Sequence, residues 1–162
     1  LIRNTLENSE NETVSISKDL QSLQLYLELE QERFQNTFRF NIDADKEILD
    51  GDFQIPPLLI QPFVENAVIH GIEQLEENGH IAVNFSKEGD LLVISVDDNG
   101  PGISNSPQTS LSTHVSYALQ IFRERVANLK KKYGTAITYN ITDKSRENGS
   151  GTLVTVKLPL KT

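Results

Sequence analysis

Two short segments hold most of the residues that could do chemistry. The first is Val96-Asp97-Asp98-Asn99-Gly100-Pro101-Gly102, where an apolar run ends in carboxylates and passes straight into a glycine-bearing turn. An acid at a strand end, here Asp98, can accept a hydrogen bond from an exocyclic amine. Gly100 and Gly102, lacking Cβ, would let the backbone approach a flat ring. The same letters also make a good turn in their own right. The second segment is Pro62-Phe63-Val64-Glu65-Asn66-Ala67-Val68-Ile69-His70-Gly71. At about 100° per residue, Ile60, Val64, Ala67, Val68 and Gly71 form an apolar stripe. Asn66 and His70 then share one flank, and Glu65 falls on the other. An Asn inside a helix, with no cap to make, is either a hydrogen-bonding group at the core edge or an oxygen ligand for Mg²⁺. Taken with Asp98 and the Gly/Pro/Ser/Thr/Asn-rich stretch 98–114, these residues point to a nucleotide site; a loop of that length is usually functional or disordered.

These groups need elements to position them. Five stretches alternate with period 2 and read as half-buried strands: Phe38/Phe40/Ile42, Ile81/Val83/Phe85, Leu92/Ile94/Val96, Ile137/Tyr139/Ile141 and Val154/Val156/Leu158. Polar residues stand between them, so one sheet face is buried and the other is largely wet, as in a mainly antiparallel sheet. Lys87-Glu88-Gly89-Asp90 reads as the hairpin turn between the second and third strands. Three stretches follow the helical period. Ser17 is expected to cap a helix running to about Phe34. Pro56-Pro57 is expected to open a second that stops at Gly71. A third, from about Val115 to Tyr133, ends at Gly134. The predicted fold is α/β (α+β), a two-layer sandwich in which three helices cover one face of a mixed, mainly antiparallel sheet of about five strands. Residues 1–16 are expected to be the tail of an upstream helix and a linker, and 17–162 the domain itself.

Composition removes several function classes. The 162 residues contain no Cys, which excludes a thiol nucleophile, a disulfide framework and a thiolate metal site. The formal net charge of −8 argues against a general nucleic-acid binder. No apolar run approaches a membrane span. The charge is uneven: residues 1–80 hold 5 basic and 16 acidic side chains, and 81–162 hold 10 basic and 7 acidic. Arg123, Arg125, Lys130, Lys131 and Lys132 crowd one helix, either as its solvated C-terminal half or, for Arg123 or Arg125, as contacts to an anionic ligand or a partner. The chain starts at Leu1 with neither an initiator Met nor a signal-like segment, and is expected to be part of something longer.

The motifs carry a family resemblance. IPPLLIQPFVENAVIHGI resembles the N box of sensor histidine kinases of the LytS type, VDDNGPGI their G1 box, and NGSGTLVTVKLPL their closing G3 element. SISKDLQSLQLYLELEQERF resembles the segment that precedes their ATP-binding domain. The resemblance runs from about Leu1 to Leu160 with the motifs in order. It implies a GHKL (Bergerat) ATP-binding domain. There Asp98 would bind the adenine amino group and Asn66 would hold Mg²⁺ between the phosphates, with Glu65 as a second catalytic candidate beside it. Gly100 and Gly102 would shape the adenine pocket, Thr152 would lie near the base and His70 would line the nucleotide site. Residues 103–114 would form a lid. The helix starting near Ser116 would aim its N–H groups at phosphate.

The resemblance further implies a protein histidine kinase fragment that uses ATP and Mg²⁺ for phosphoryl transfer. Its partners would be an upstream phosphoacceptor domain and a response regulator, in a full-length dimer. The setting would be the cytoplasmic part of a membrane-anchored bacterial sensor, with no nucleic-acid or membrane contact by this piece. None of His70, His80 and His114 sits in the family's Pro-His-Phe acceptor context, so this segment alone is not expected to autophosphorylate. The family pattern G-x-G-L-x-N-x-x-E-R is altered at three places, to Ser116, Ala118 and Ile121. That alteration motivates a second reading, a degenerate GHKL domain acting as a non-catalytic interaction or dimerisation module. A third is a GHKL ATPase or serine kinase of the anti-sigma type.

Overall fold

The computed structural model describes residues 13–72, 77–102, 111–133, 136–147 and 149–161; the side chains of residues 70–71, 111–116 and 132–133 lie outside that description. In chain order the elements are β1 (Val14–Ser15), α1 (Ile16–Arg33), β2 (Phe38–Ala44), α2 (Lys46–Asp50), β3 (Gln54–Ile55) and α3 (Gln61–Asn66). There follow a π-helical turn (Ala67–Ile72), β4 (Gly79–Glu88), β5 (Leu91–Asp98), α4 (Leu111–Tyr133), β6 (Thr138–Asp143), a 3₁₀ turn (Lys144–Glu147) and β7 (Thr152–Pro159).

The five long strands form one sheet in the order β2-β4-β5-β7-β6. Only β2 and β4 run parallel; the other three pairings are antiparallel. The register puts Ile81, Val83 and Phe85 beside Val96 and Ile94, and these beside Val154 and Val156, on a single face. That face is buried under Leu23 and Leu27 of α1, Phe63, Val64 and Val68 of α3 and its π turn, and Phe122 and Val126 of α4. The opposite face carries Arg39, His80, Asn84, Thr155 and Lys157. The two-layer mixed sandwich is thus as the periodicity indicated. Alternation with period 2 survives folding because only one face has apolar surface to remove from water.

The ends of the elements differ from the sequence reading, each for a local reason. Ser15, not Ser17, caps α1, its hydroxyl accepting from the Lys18 N–H at 3.3 Å. Val14 and Ser15, assigned to the linker by sequence, pair with β3. The helix expected to open at Pro56-Pro57 begins only at Gln61, because Leu58 sits at φ +57°, outside any right-handed helix, and Pro62 occupies the first turn. This helix passes through Gly71 as a π turn instead of stopping there. The hairpin turn shrinks to Gly89-Asp90, with Glu88 paired to Leu91 and Gly89 at φ +62°, as a two-residue type II′ turn requires of its first residue. The third helix is already formed at Leu111. The segments β1, β3, α2 and the 3₁₀ turn were too short to leave a periodic trace.

Phe122 is fully buried between two elements of the helical layer and the sheet. Its ring lies 5.0 Å from that of Phe63 on α3 and 5.1 Å from that of Tyr139 on β6, the latter edge to face. Phe122→Ala therefore opens a cavity that no single element can close, and chemical denaturation should show a loss of about 3–5 kcal/mol.

Candidate functional site

The site grows from the end of β5. Because Asp98 pairs with Ile81 and follows Val96 by two residues, its side chain lies on the apolar face of the sheet, and it is only 7% exposed. A bare carboxylate there would be costly. It is held by backbone donors: the Gly100 N–H donates to Oδ1 at 2.9 Å, and the Thr152 N–H donates as well. Burial pushes its pKa up to about 6, against the pull of those two N–H groups and of Lys144. Lys144 forms an ion pair with the neighbouring Asp97.

The turn after Asp98 is fixed from three sides. Asn99 accepts the His80 N–H on Oδ1 at 2.6 Å and donates Nδ2 to the Asn78 carbonyl at 2.9 Å, which stitches the turn to the start of β4. Ser150 donates its hydroxyl to the carbonyls of Asn99 (3.0 Å) and Gly100 (2.7 Å). Gly102, at φ +79°, lies against the 3₁₀ turn, where a Cβ would stand 2.6 Å from Asp143 Oδ1. Gly151, at φ +101°, is tighter still. A Cβ on it would overlap the Asp98 carbonyl, at 2.6 Å from the carbonyl carbon. So the structure gathers four of the residues picked from the sequence, Asp98, Gly100, Gly102 and Thr152. It adds Asn99, whose sequence signal was the Asp-Asn-Gly turn, and Ser150 and Gly151, whose sequence signal was the Gly-Ser-Gly-Thr string.

The other half of the site lies on α3. Asn66 and Glu65 line a cleft of about 140 Å³ with Pro62, Ile69, Tyr117, Ala118 and Ile121, between α3 and α4. The two residues expected on opposite flanks therefore open onto one cleft. Glu65 is exposed and Asn66 half-buried, and the Asn66 amide has no hydrogen-bond partner among the described residues. It is free to serve as an oxygen ligand. No cluster of three or more His, Asp or Glu side chains exists among the described residues, so a cation here would depend on a ligand's own oxygens for most of its coordination. The π turn that follows Asn66 packs against β4 and β5 and so links the two halves. Such turns are frequent at functional sites. His70 lies on this turn, and its side chain is outside the described residues.

Two expectations change. Ser116 is in the interior of α4, so the first-turn N–H groups once expected there belong near Leu111 and the Ser116 amide is spent inside the helix; its side chain is outside the described residues. The lid expected over 103–114 therefore loses its last residues to that helix, and 103–110 lie outside the described residues. Neither arginine of the basic helix is a free surface charge. Arg123 donates to the Tyr139 hydroxyl at 2.8 Å, and Arg125 donates to the Leu58 carbonyl at 2.6 Å.

Comparison with known proteins agrees with this fold. Residues 55–162 match the model of the family described as histidine kinase-, DNA gyrase B-, and HSP90-like ATPase. The chain belongs to that family. It is 33% identical over 163 residues to the sensor protein LytS of Staphylococcus epidermidis, a match that takes in 98% of this chain and 27% of LytS. The chain thus spans about a quarter of the length of that relative. Among solved structures, the catalytic domain of the histidine kinase ThkA has the same fold, with a TM-score of 0.57 at 18% identity over 91% of this chain and 94% of that one. ThkA in complex with the response regulator protein TrrA is matched over 98% of this chain and 46% of that one, with a TM-score of 0.55 at 17% identity. No described helix is long and apolar enough to cross a membrane.

Two outcomes follow from the local geometry. Gly151→Ala puts a Cβ into the Asp98 carbonyl at a backbone angle that L-residues avoid; it should cost about 2 kcal/mol or more and lower the midpoint of thermal unfolding by roughly 4–8 °C. The pKa of Asp98 is raised in the folded state, from 3.8 to about 6, so its contribution to stability is fully present below about pH 4 and lost as the pH rises through about 6. The stability of Asp98→Asn relative to wild type should therefore improve between pH 4 and pH 7, as measured by denaturant unfolding at both.

Proposed function

We propose that this chain is the ATP-binding catalytic domain of a sensor histidine kinase. It would bind Mg-ATP and present the γ-phosphoryl group to a histidine on an upstream domain of the same protein. The observation that carries this reading is the buried Asp98 carboxylate, poised on the Gly100 and Thr152 N–H groups, with Gly151 pressed against the Asp98 backbone. An acceptor that is fixed in place and has lone pairs to spare suits the amino group of adenine, and the closely approached backbone suits its flat face. Asn66, half-buried and without a protein partner among the described residues, would supply an oxygen to Mg²⁺. When bound, Mg²⁺ neutralises phosphate charge, which is most of what phosphoryl transfer requires. Glu65, exposed on the same cleft, would be the second catalytic candidate. Thr152 would fix Asp98 by its N–H, while His70 and the residues from 103 to the start of α4 would close over the ligand. A response regulator would receive the phosphoryl group in turn, and the whole protein would be a dimer anchored at a membrane with this domain in the cytoplasm.

One observation favours a second reading, a domain that has kept the fold but lost phosphate binding. Tyr117, Ala118 and Ile121 line the cleft beside Asn66, and Ala118 and Ile121 stand where the family pattern has Gly and Asn. On that reading the surfaces of the domain do its work.

Thermal unfolding with and without millimolar Mg-ATP separates the two. At about 100 times its dissociation constant a ligand adds about 2.7 kcal/mol, a shift of roughly 5–10 °C for a chain of this size. The shift should appear in wild type and vanish in Asp98→Asn, which removes the carboxylate while keeping an oxygen for the Gly100 N–H. No shift in either protein would favour the second reading.

A further inference from the structure

Asp19, Leu58 and Arg125 lie on α1, on the turn before α3 and on α4, and they meet inside the molecule. Asp19 is 6% exposed and its carboxylate accepts the Leu58 N–H. Arg125 Nη1 donates to the Leu58 carbonyl at 2.6 Å. Both polar groups of one peptide residue are thus held by side chains from two different helices. Leu58 itself sits at φ +57°, a conformation that a leucine adopts only when its surroundings impose it. The opposite charges of Asp19 and Arg125 favour each other's ionised form.

The consequence for α3 is direct. Leu58 is three residues before Gln61, where α3 starts, and α3 carries Asn66 at its end. α3 runs on into the π turn, which packs on β4 and β5, so its far end is held by the sheet while its near end depends on the entry point at Leu58 and on packing against α4 through Phe63 and Phe122. Releasing Leu58 to an ordinary backbone conformation would turn that entry point and swing Asn66 relative to Tyr117, Ala118 and Ile121. Asp98 is held from β7 and its own turn, so it would stay where it is.

We propose that Arg125, with Asp19, is a positioning residue for the phosphate half of the site: the pair locks the Leu58 backbone and so aims α3 to present Asn66 to the nucleotide's phosphates. This rests on the ATP-binding reading above. Arg125 Nη1 is engaged by the Leu58 carbonyl, and the part assigned to it acts through that backbone rather than on the ligand.

The test compares two probes, adenosine, which needs only the Asp98 half, and Mg-ATP, which needs both. Dissociation constants would be measured by calorimetry and ligand-observed NMR for wild type, Arg125→Gln, Arg125→Lys and Asp19→Asn, with circular dichroism to establish that each is folded. In Arg125→Gln, adenosine affinity should stay within about twofold of wild type while Mg-ATP affinity falls on the order of tenfold or more. Arg125→Lys should recover part of that loss. Asp19→Asn retains an oxygen for the Leu58 N–H and removes only the charge, so it tests the pair even if Arg125→Gln fails to fold; it should move the same ratio in the same direction. A variant that unfolds more easily but keeps the ratio of the two constants would reduce the clamp to a structural role and overturn the inference alone. A wild type that binds neither probe would overturn the ATP-binding reading and this inference with it.

Discussion

A negative charge placed on the apolar face of a sheet is the constraint around which the rest of this molecule is arranged. The strand period puts Asp98 on the side of Val96 and Ile94, where an unsolvated carboxylate would normally be expelled or neutralised. It is retained because the chain turns at once and brings the Gly100 N–H back to it, and because the start of β7 supplies the Thr152 N–H. Both donors require the backbone to come closer than side chains permit. The glycine at 151 and the Ser150 and Asn99 hydrogen bonds hold the backbone in that close approach. Such strain and burial reduce stability, and they are found together where a fold serves a ligand.

The second half of the site is organised by a different device. An α-helix that changes to a π turn immediately after Asn66 packs on β4 and β5, so the residue that faces the cleft and the strand that carries Asp98 belong to one connected unit. On the far side, α4 closes the cleft with Tyr117, Ala118 and Ile121. Larger side chains at 118 and 121 than the family pattern places there narrow the space while leaving the Asn66 amide available. The clamp on Leu58 sets the angle between these parts. A domain assembled in this way can keep a rigid base-binding half and a phosphate half whose geometry depends on contacts with α1, the first helix among the described residues.

Much of the layer architecture was legible in the sequence because only one sheet face is buried. Alternation at Ile81/Val83/Phe85 and Val154/Val156/Leu158 marks strands as clearly as it does because Asn84, Thr155 and Lys157 remain wet. Asp98, Gly100 and Gly102 were likewise visible, since a strand ending in acid and glycine is a local pattern, while Thr152 came only with the family resemblance. What escaped depends on contacts across the chain. Leucine is not a usual left-handed residue; the N–H and C=O of Leu58 are held by Asp19 and Arg125, 39 positions before and 67 after it. The need for glycine at 151 arises from the Asp98 carbonyl, more than fifty residues away, and the run of charge at 123–132 concealed two arginines that hydrogen-bond other elements. The helix start was misplaced at Pro56-Pro57 and again near Val115 because propensity and capping signals compete with tertiary contacts at element ends.

The central claim is that the buried acid reads the amino group of adenine, and the most direct measurement compares the affinities of Mg-ATP and Mg-ITP for the wild-type domain under identical conditions. Inosine replaces the amino donor with a carbonyl oxygen, which would face the Asp98 carboxylate with no proton between them. The account predicts that ITP binds at least about a hundredfold more weakly than ATP, as expected of a site built around a hydrogen bond to one substrate group. Equal affinities for the two nucleotides would contradict it.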